Sequence, residues 1–198
     1  SGGAGIQADL KTFSALGCYG TTVITAITVQ NTCGVTQSVP VDGPLVRDQM
    51  LAVLTDLSPR AVKIGMTPNA EIISHIADCL RAHPVPFVVL DPIIRSSSGH
   101  PLIDAAAIET MCRELLPLVS LVTPNLDELR CLSDKTELVD AAREIISSFR
   151  VPAVLVKGGH AQGQPTDLLV TATTLTTFEG QRIDTPNDHG TGCTLSSA

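Results

Sequence analysis

Phe87-Val88-Val89-Leu90-Asp91-Pro92 is the stretch whose reading decides the fold. It is a short apolar run without alternation, so both faces of the strand it predicts are buried. It ends on Asp-Pro, which stops a hydrogen-bonded ladder and turns the chain. The same design recurs on either side. Ala61-Val62-Lys63-Ile64-Gly65 reads as a strand, as does Leu118 to Val122, which runs into Thr123-Pro124-Asn125. Ala153 to Val156 is another, ending in Lys157-Gly158-Gly159-His160. Between these runs the apolar period changes to that of a helix, over Ala70–Ala82, Ala105–Leu116 behind an Asp104 cap, Leu126–Leu132 and Leu138–Phe149. Strands of this kind alternating with helices predict an α/β domain with a mostly parallel sheet covered on both faces.

Toward the N-terminus, Ile6 to Leu16 has helical spacing and Gly17 ends it. Thr21 to Gln30 is rich in β-branched residues and reads as a strand. Asn31-Thr32-Cys33-Gly34 is turn chemistry, Val35 to Val41 a short extended arm, and Leu45 to Leu57 a helix opened by Pro44. Beyond Val156, Leu168 to Thr174 and Thr177 to Ile183 predict an antiparallel hairpin. Ligands of open α/β sheets bind beyond the carboxyl ends of the strands. There the chain places Gln30, Gly65-Met66, Asp91, Asn125 with Glu128, and Lys157. Each alone is also ordinary loop chemistry; together they predict one site on one sheet edge.

The chain closes on Asn187-Asp188-His189-Gly190-Thr191-Gly192-Cys193-Thr194-Leu195-Ser196-Ser197-Ala198. A glycine loop entering a helix aims backbone N–H groups and the positive end of the helix dipole at one point, which suits an anion. Cys193 stands in the first turn, where that field favours its thiolate. On its own the stretch also reads as a glycine turn before a helix with a core cysteine.

Composition narrows the possibilities. With 198 residues, 43% hydrophobic and 17% charged, the chain has material for one well-filled domain spanning 1–198. A net charge of −7 and only 3% aromatics argue against nucleic acid as a partner. The six cysteines form no CxxC pair, the usage of buried thiols in a reducing compartment. With no apolar run of roughly 18 residues and no signal peptide, a soluble cytoplasmic protein is expected.

Asp91, Asn125 and Glu128 are hard oxygen ligands on adjacent strand ends, suited to magnesium held partly through water. Lys157 offers a point charge for a phosphate next to two glycines. An anion hole, carboxylates for a metal and a lysine together suit phosphoryl transfer. There is no Walker A motif, and Ser1-Gly2-Gly3-Ala4-Gly5 lacks its GK[ST] ending.

The segments SGGAGIQADLKTFSALG, VITAITVQNT, KIGM, VLDPI, TPNLDE, VKGGH and HGTGCTLSSA resemble, in order from Ser1 to Ala198, those of the hydroxymethylpyrimidine and phosphomethylpyrimidine kinases. These are thiamine-pathway members of the ribokinase-like superfamily, most of whose sugar kinases carry aspartate where GTGC has cysteine. The resemblance implies a three-layer α/β/α kinase that uses ATP and Mg2+, acts on a small pyrimidine and forms a homodimer. It implies that Cys193 is the catalytic base, and that Gly190, Thr191 and Gly192 with the Cys193 amide form the anion hole. Gln30 would pair with the aminopyrimidine edge; Ala4, Met66 and Ile93 would pack the ring, with Asp9 close by. Asp91 and Glu128 would serve the metal, and Asn125, Glu128 and Lys157 the nucleotide phosphates.

Two departures from the family pattern stand out. Ser97 replaces a lysine common among relatives and His100 an aspartate, near the phosphate site. Relatives also have a strand before Ser1 and helices after Ala198, so the chain is expected to be truncated at both ends. Two alternatives follow: a pyridoxal or pyridoxine kinase, or a non-catalytic pyrimidine-binding module of a larger protein.

Overall fold

Of the predicted strand Leu118 to Val122 only Leu121–Val122 joins the sheet, and the other three parallel strands are four residues long. The computed structural model describes residues 2–32, 34–95, 102–159, 164–183, 185 and 189–198. In chain order the elements are α1 (Gly5–Ala15), β1 (Ala26–Gln30), β2 (Val35–Pro40), α2 (Gly43–Leu57), β3 (Ala61–Ile64), α3 (Ala70–Ala82), β4 (Phe87–Leu90), α4 (Ala105–Thr110), β5 (Leu121–Val122), α5 (Leu126–Leu132), α6 (Leu138–Phe149), β6 (Ala153–Val156), β7 (Thr166–Thr171), β8 (Leu175–Glu179) and α7 (Thr191–Ser197). Strands β3 to β8 form one sheet in sequence order. It is parallel from β3 through β6 and antiparallel across β7 and β8. With its helices it makes the three-layer α/β architecture that the alternation predicts.

Val88, Leu90, Val122, Val154 and Val156 fill the middle layer, against Ile72, Ile73 and Ile76 of α3 and Ala141, Ala142 and Ile145 of α6. Burying an isoleucine of this kind contributes about 1.5–3 kcal/mol. Asn69 starts α3 by accepting from the Ile72 N–H at 2.9 Å, and Asp104 starts α4 by accepting from Ala107 at 2.8 Å.

Four further expectations need correction. Only Ala26–Gln30 of the predicted 21–30 strand is extended in a ladder, and it pairs antiparallel with β2 in a separate two-stranded ribbon, so Gln30 does not lie on the main sheet. The helix predicted over 105–116 is α-helical only to Thr110; it widens to a π-helix over Met111–Leu115 and tightens to a 3₁₀ turn at Leu116–Leu118. Pro117 has no N–H to complete the α-helical ladder there. The hairpin closes earlier than predicted, because the Thr171 hydroxyl accepts from the N–H groups of Thr173 and Thr174 and makes the turn itself. Cys18 and Cys131 are exposed rather than buried. Cys33, also expected in a turn, lies outside the described residues.

Candidate active site

The ends of β4, β5 and β6 converge on one cation. Asp91 follows β4 and Lys157 follows β6; the Lys157 backbone N–H donates to the Pro124 carbonyl at 2.9 Å, which aligns its side chain with the end of β5. Lys157 Nζ lies 2.6 Å from Asp91 Oδ1 and 3.9 Å from Glu128 Oε2, and the three side chains are only 13%, 3% and 5% exposed. Charges this deep persist only when paired and hydrogen-bonded. The Ser196 hydroxyl, 3.3 Å from Asp91 Oδ2, brings α7 into the cluster. A Cβ on Gly192 would stand 3.5 Å from Lys157 Nζ and 3.9 Å from Asp91 Oδ2, so the first turn of α7 lies directly over the pair.

Asn125 and Glu128 have a structural duty as well. The Asn125 side chain accepts from the N–H groups of Asp127 and Glu128, while Glu128 Oε2 accepts from the Asn125 N–H at 2.8 Å. This is a capping box that starts α5. Its Asn-x-x-Glu spacing is a signal that a reading for ligands alone passes over. Burial pushes the Glu128 carboxyl up to about 7, against the opposing pull of Lys157 and the Asn125 N–H. Among the described residues no group of three or more His, Cys, Asp or Glu side chains is placed to hold a metal. Two carboxylates that already share one cation do fit a hard divalent ion, provided that phosphate and water complete its shell.

The final loop closes on the opening one. Gly190 has φ +88° and packs against Gly3, whose carbonyl oxygen is 1.5 Å from where a Gly190 Cβ would stand. The Gly5 N–H, at the start of α1, is one of the groups that favour the Cys193 thiolate. Helix α1 has no side-chain cap on Ala4. The expectation that a helix terminus leaves the thiol acidic is outweighed: burial pushes the Cys193 thiol up, opposed by Lys63 and the Gly5 N–H and reinforced by Asp91 and Asp9. Thr191 is exposed at the start of α7.

Gln30 reaches the same loop from the ribbon, with its Nε2 2.6 Å from His189 Nε2. Met66 is half-buried rather than core, and its carbonyl accepts from the Thr25 hydroxyl at 2.6 Å. Ile93, also half-buried, lies beside Gly65. Asp9 is no solvated helix-face residue: its Oδ1 receives Lys63 Nζ and the Ser197 hydroxyl, each at 2.8 Å. Ser97 and His100, together with Asn187 and Asp188 of the final loop, lie outside the described residues. The sequence reading passed over Lys63, His189, Ser196 and Ser197. Only Lys63 carried a signal, as a charge inside an apolar parallel strand.

The sequence model of the family described as phosphomethylpyrimidine kinase matches residues 1–198. The chain is similar to the hydroxymethylpyrimidine/phosphomethylpyrimidine kinase of Rhizobium meliloti, at 51% identity over 203 residues, which is 100% of this chain and 76% of the relative. The fold is similar to a crystal structure of phosphomethylpyrimidine kinase from Clostridium difficile 630, at 40% identity and TM-score 0.86 over 100% of this chain and 83% of the other. It is also similar to the ADP complex of Bacillus subtilis pyridoxal kinase, at 33% identity and TM-score 0.89 over 100% and 77% of the two chains.

Proposed function

Because the chain belongs to the phosphomethylpyrimidine kinase family, we propose that it transfers the γ-phosphoryl group of ATP to 4-amino-5-hydroxymethyl-2-methylpyrimidine and then to the monophosphate, as in thiamine biosynthesis. The observation that carries this reading is the packing of Gly192, the residue before Cys193, over the Lys157–Asp91 pair. Base and phosphate-neutralising groups then lie together beyond the carboxyl ends of the parallel strands. Cys193 takes the proton of the hydroxymethyl group as its oxygen attacks phosphorus; the bond to ADP breaks and no covalent enzyme intermediate forms. Gly190, Thr191, Gly192 and the Cys193 amide receive the developing negative charge. Lys157 and Asn125 address the nucleotide phosphates, and Asp91 and Glu128 would hold Mg2+, whose contribution is to neutralise phosphate charge. Gln30 presents a donor and an acceptor side by side to the aminopyrimidine edge. Ala4, Met66 and Ile93 flank its ring, and Asp9 supports the pocket through Lys63. The complex of the Bacillus subtilis relative with ADP supports ATP as co-substrate.

The chain is read as a homodimer in the cytoplasm. The apolar face of the ribbon supports the first point, since Ile27, Val29 and Val39 are 64%, 56% and 49% exposed on the same side. Among the described residues no helix is long and apolar enough to cross a membrane.

The similarity to pyridoxal kinase keeps a second substrate in view. Steady-state kinetics with both rings separates the two readings. A kcat/KM for hydroxymethylpyrimidine above that for pyridoxal is expected, and the reverse order overturns the assignment.

A further inference from the structure

Lys63 sits where a lysine is costly. It occupies the interior of β3, between Val62 and Ile64, and its side chain is 5% exposed. Taking an ammonium and a carboxylate out of water costs several kcal/mol per ion, and apolar residues of equal volume often serve stability as well. Stability alone is therefore a weak reason for the pair.

Its surroundings offer another reason. Lys63 Nζ is 2.8 Å from Asp9 Oδ1 on α1, and that same oxygen is 2.8 Å from the Ser197 hydroxyl on α7. The Ser197 hydroxyl is also 2.8 Å from the Cys193 carbonyl oxygen, so its single hydrogen is shared between the carboxylate and the backbone of the thiol-bearing residue. The ammonium also lies 3.2 Å from where a Gly65 Cβ would stand, which places it at the carboxyl end of β3, on the side where Ile93 packs. A sheet strand, α1 and the helix that carries the thiol are thus tied by one chain of polar contacts.

We propose that Lys63 is a positioning residue for phosphoryl transfer: through Asp9 and Ser197 it fixes the first two turns of α7, and with them the place and reactivity of the Cys193 sulfur. The charged groups that act on the sulfur are Lys63, Asp91 and Asp9, and Lys63 alone among them favours the ionised form. Asp9 holds the lysine in place at some cost to that field, which suits a device that must orient the helix as well as polarise the thiol. The proposal rests on the reading of Cys193 as the base.

The test follows the sulfur directly. Wild type, Lys63→Met, Lys63→Arg and the charge-free pair Lys63→Met/Asp9→Asn are alkylated with iodoacetamide across pH 6–10, and each cysteine is quantified by peptide mass spectrometry. Exposed Cys131 serves as the internal control. In the double variant the alkylation rate of Cys193 at neutral pH is expected to fall about threefold or more while that of Cys131 is unchanged. Its kcat is expected to fall more than its KM for the pyrimidine rises, and Lys63→Arg should recover most of both rates. Unchanged Cys193 alkylation in a folded double variant overturns the proposal. So does failure of both Lys63→Met variants to fold, which makes the pair purely structural. Slower alkylation with unaltered kcat leaves Lys63 acting on the sulfur and removes Cys193 from its role as base, so the two readings fail separately.

Discussion

Gly190 and Gly3 meet backbone to backbone, with no room for a side chain on the later residue: a Cβ there would stand 1.5 Å from the Gly3 carbonyl oxygen, and its φ is +88°. Gly190→Ala is therefore expected to push the two loops apart as well as to add about 1–2 kcal/mol of left-handed strain. A displacement of the proposed anion hole by an ångström is expected to lower turnover on the order of 100-fold. Thermal melting and single-turnover kinetics read the two effects, and an alanine variant with native turnover would show that this contact does not shape the site.

Lys157 compensates two buried carboxylates at once. Lys157→Met is expected to destabilise the fold by roughly 3–5 kcal/mol, because Asp91 is left buried without its counter-charge. Lys157→Met/Asp91→Asn should recover most of that stability and none of the turnover. Urea denaturation across the double-mutant cycle checks the first part. Recovery of turnover in the double variant would count against a role for either residue in transfer.

Glu128 gives the fold a pH dependence of known sign. Its folded-state value of about 7 lies above its ordinary 4.5. The stability it contributes is thus fully present below pH 4.5 and is lost as pH rises through about 7, because the folded state binds the proton more tightly than the unfolded chain. The loss amounts to about 3–4 kcal/mol at most. Subtracting the stability of Glu128→Gln from that of wild type across pH 4–8 isolates this group. A flat difference would mean that the carboxylate stays ionised.

The repeated sheet units were legible in the sequence because each run, Lys63 aside, obeys a local rule: apolar without alternation, then a polar or glycine stop. Asp91, Asn125, Glu128 and Lys157 could be placed together because topology alone puts the ends of β4, β5 and β6 side by side. Gln30 could not, since nothing local in Thr21–Gln30 says that its strand leaves the main sheet for a ribbon. The tie between Asp9 and Ser197 spans 188 residues and has no sequence period to reveal it. The direction of the Cys193 shift was misjudged for a related reason: the helix terminus is local and visible, whereas burial of the sulfur depends on how α1 closes over it.

Gln30 tests the proposed pyrimidine site. Gln30→Ala removes the paired donor and acceptor and frees His189 from its 2.6 Å contact. Pyrimidine affinity is expected to fall about 10-fold or more, the cost of leaving polar edges unmatched, with nucleotide affinity little changed. Isothermal titration with each ligand decides this. Equal losses for both would mean that the ribbon, not the amide, is what the substitution disturbs.

Cys193 separates the proposed base from a merely buried thiol. Cys193→Ala is expected to lower turnover by about 10²–10⁴-fold while pyrimidine binding is retained. The pH profile carries more information than the loss itself. Because burial holds the thiol above its ordinary range, only a small fraction is ionised at neutral pH, and wild-type kcat/KM should climb with pH through the alkaline range before levelling. Cys193→Asp puts a carboxylate at the same point, as the resemblance describes for most ribokinase-like sugar kinases. It should move the rising limb several pH units toward acid, whatever its absolute rate. Profiles of wild type and Cys193→Asp with coincident limbs would assign the titration to another group and leave Cys193 a packing residue at the mouth of α7.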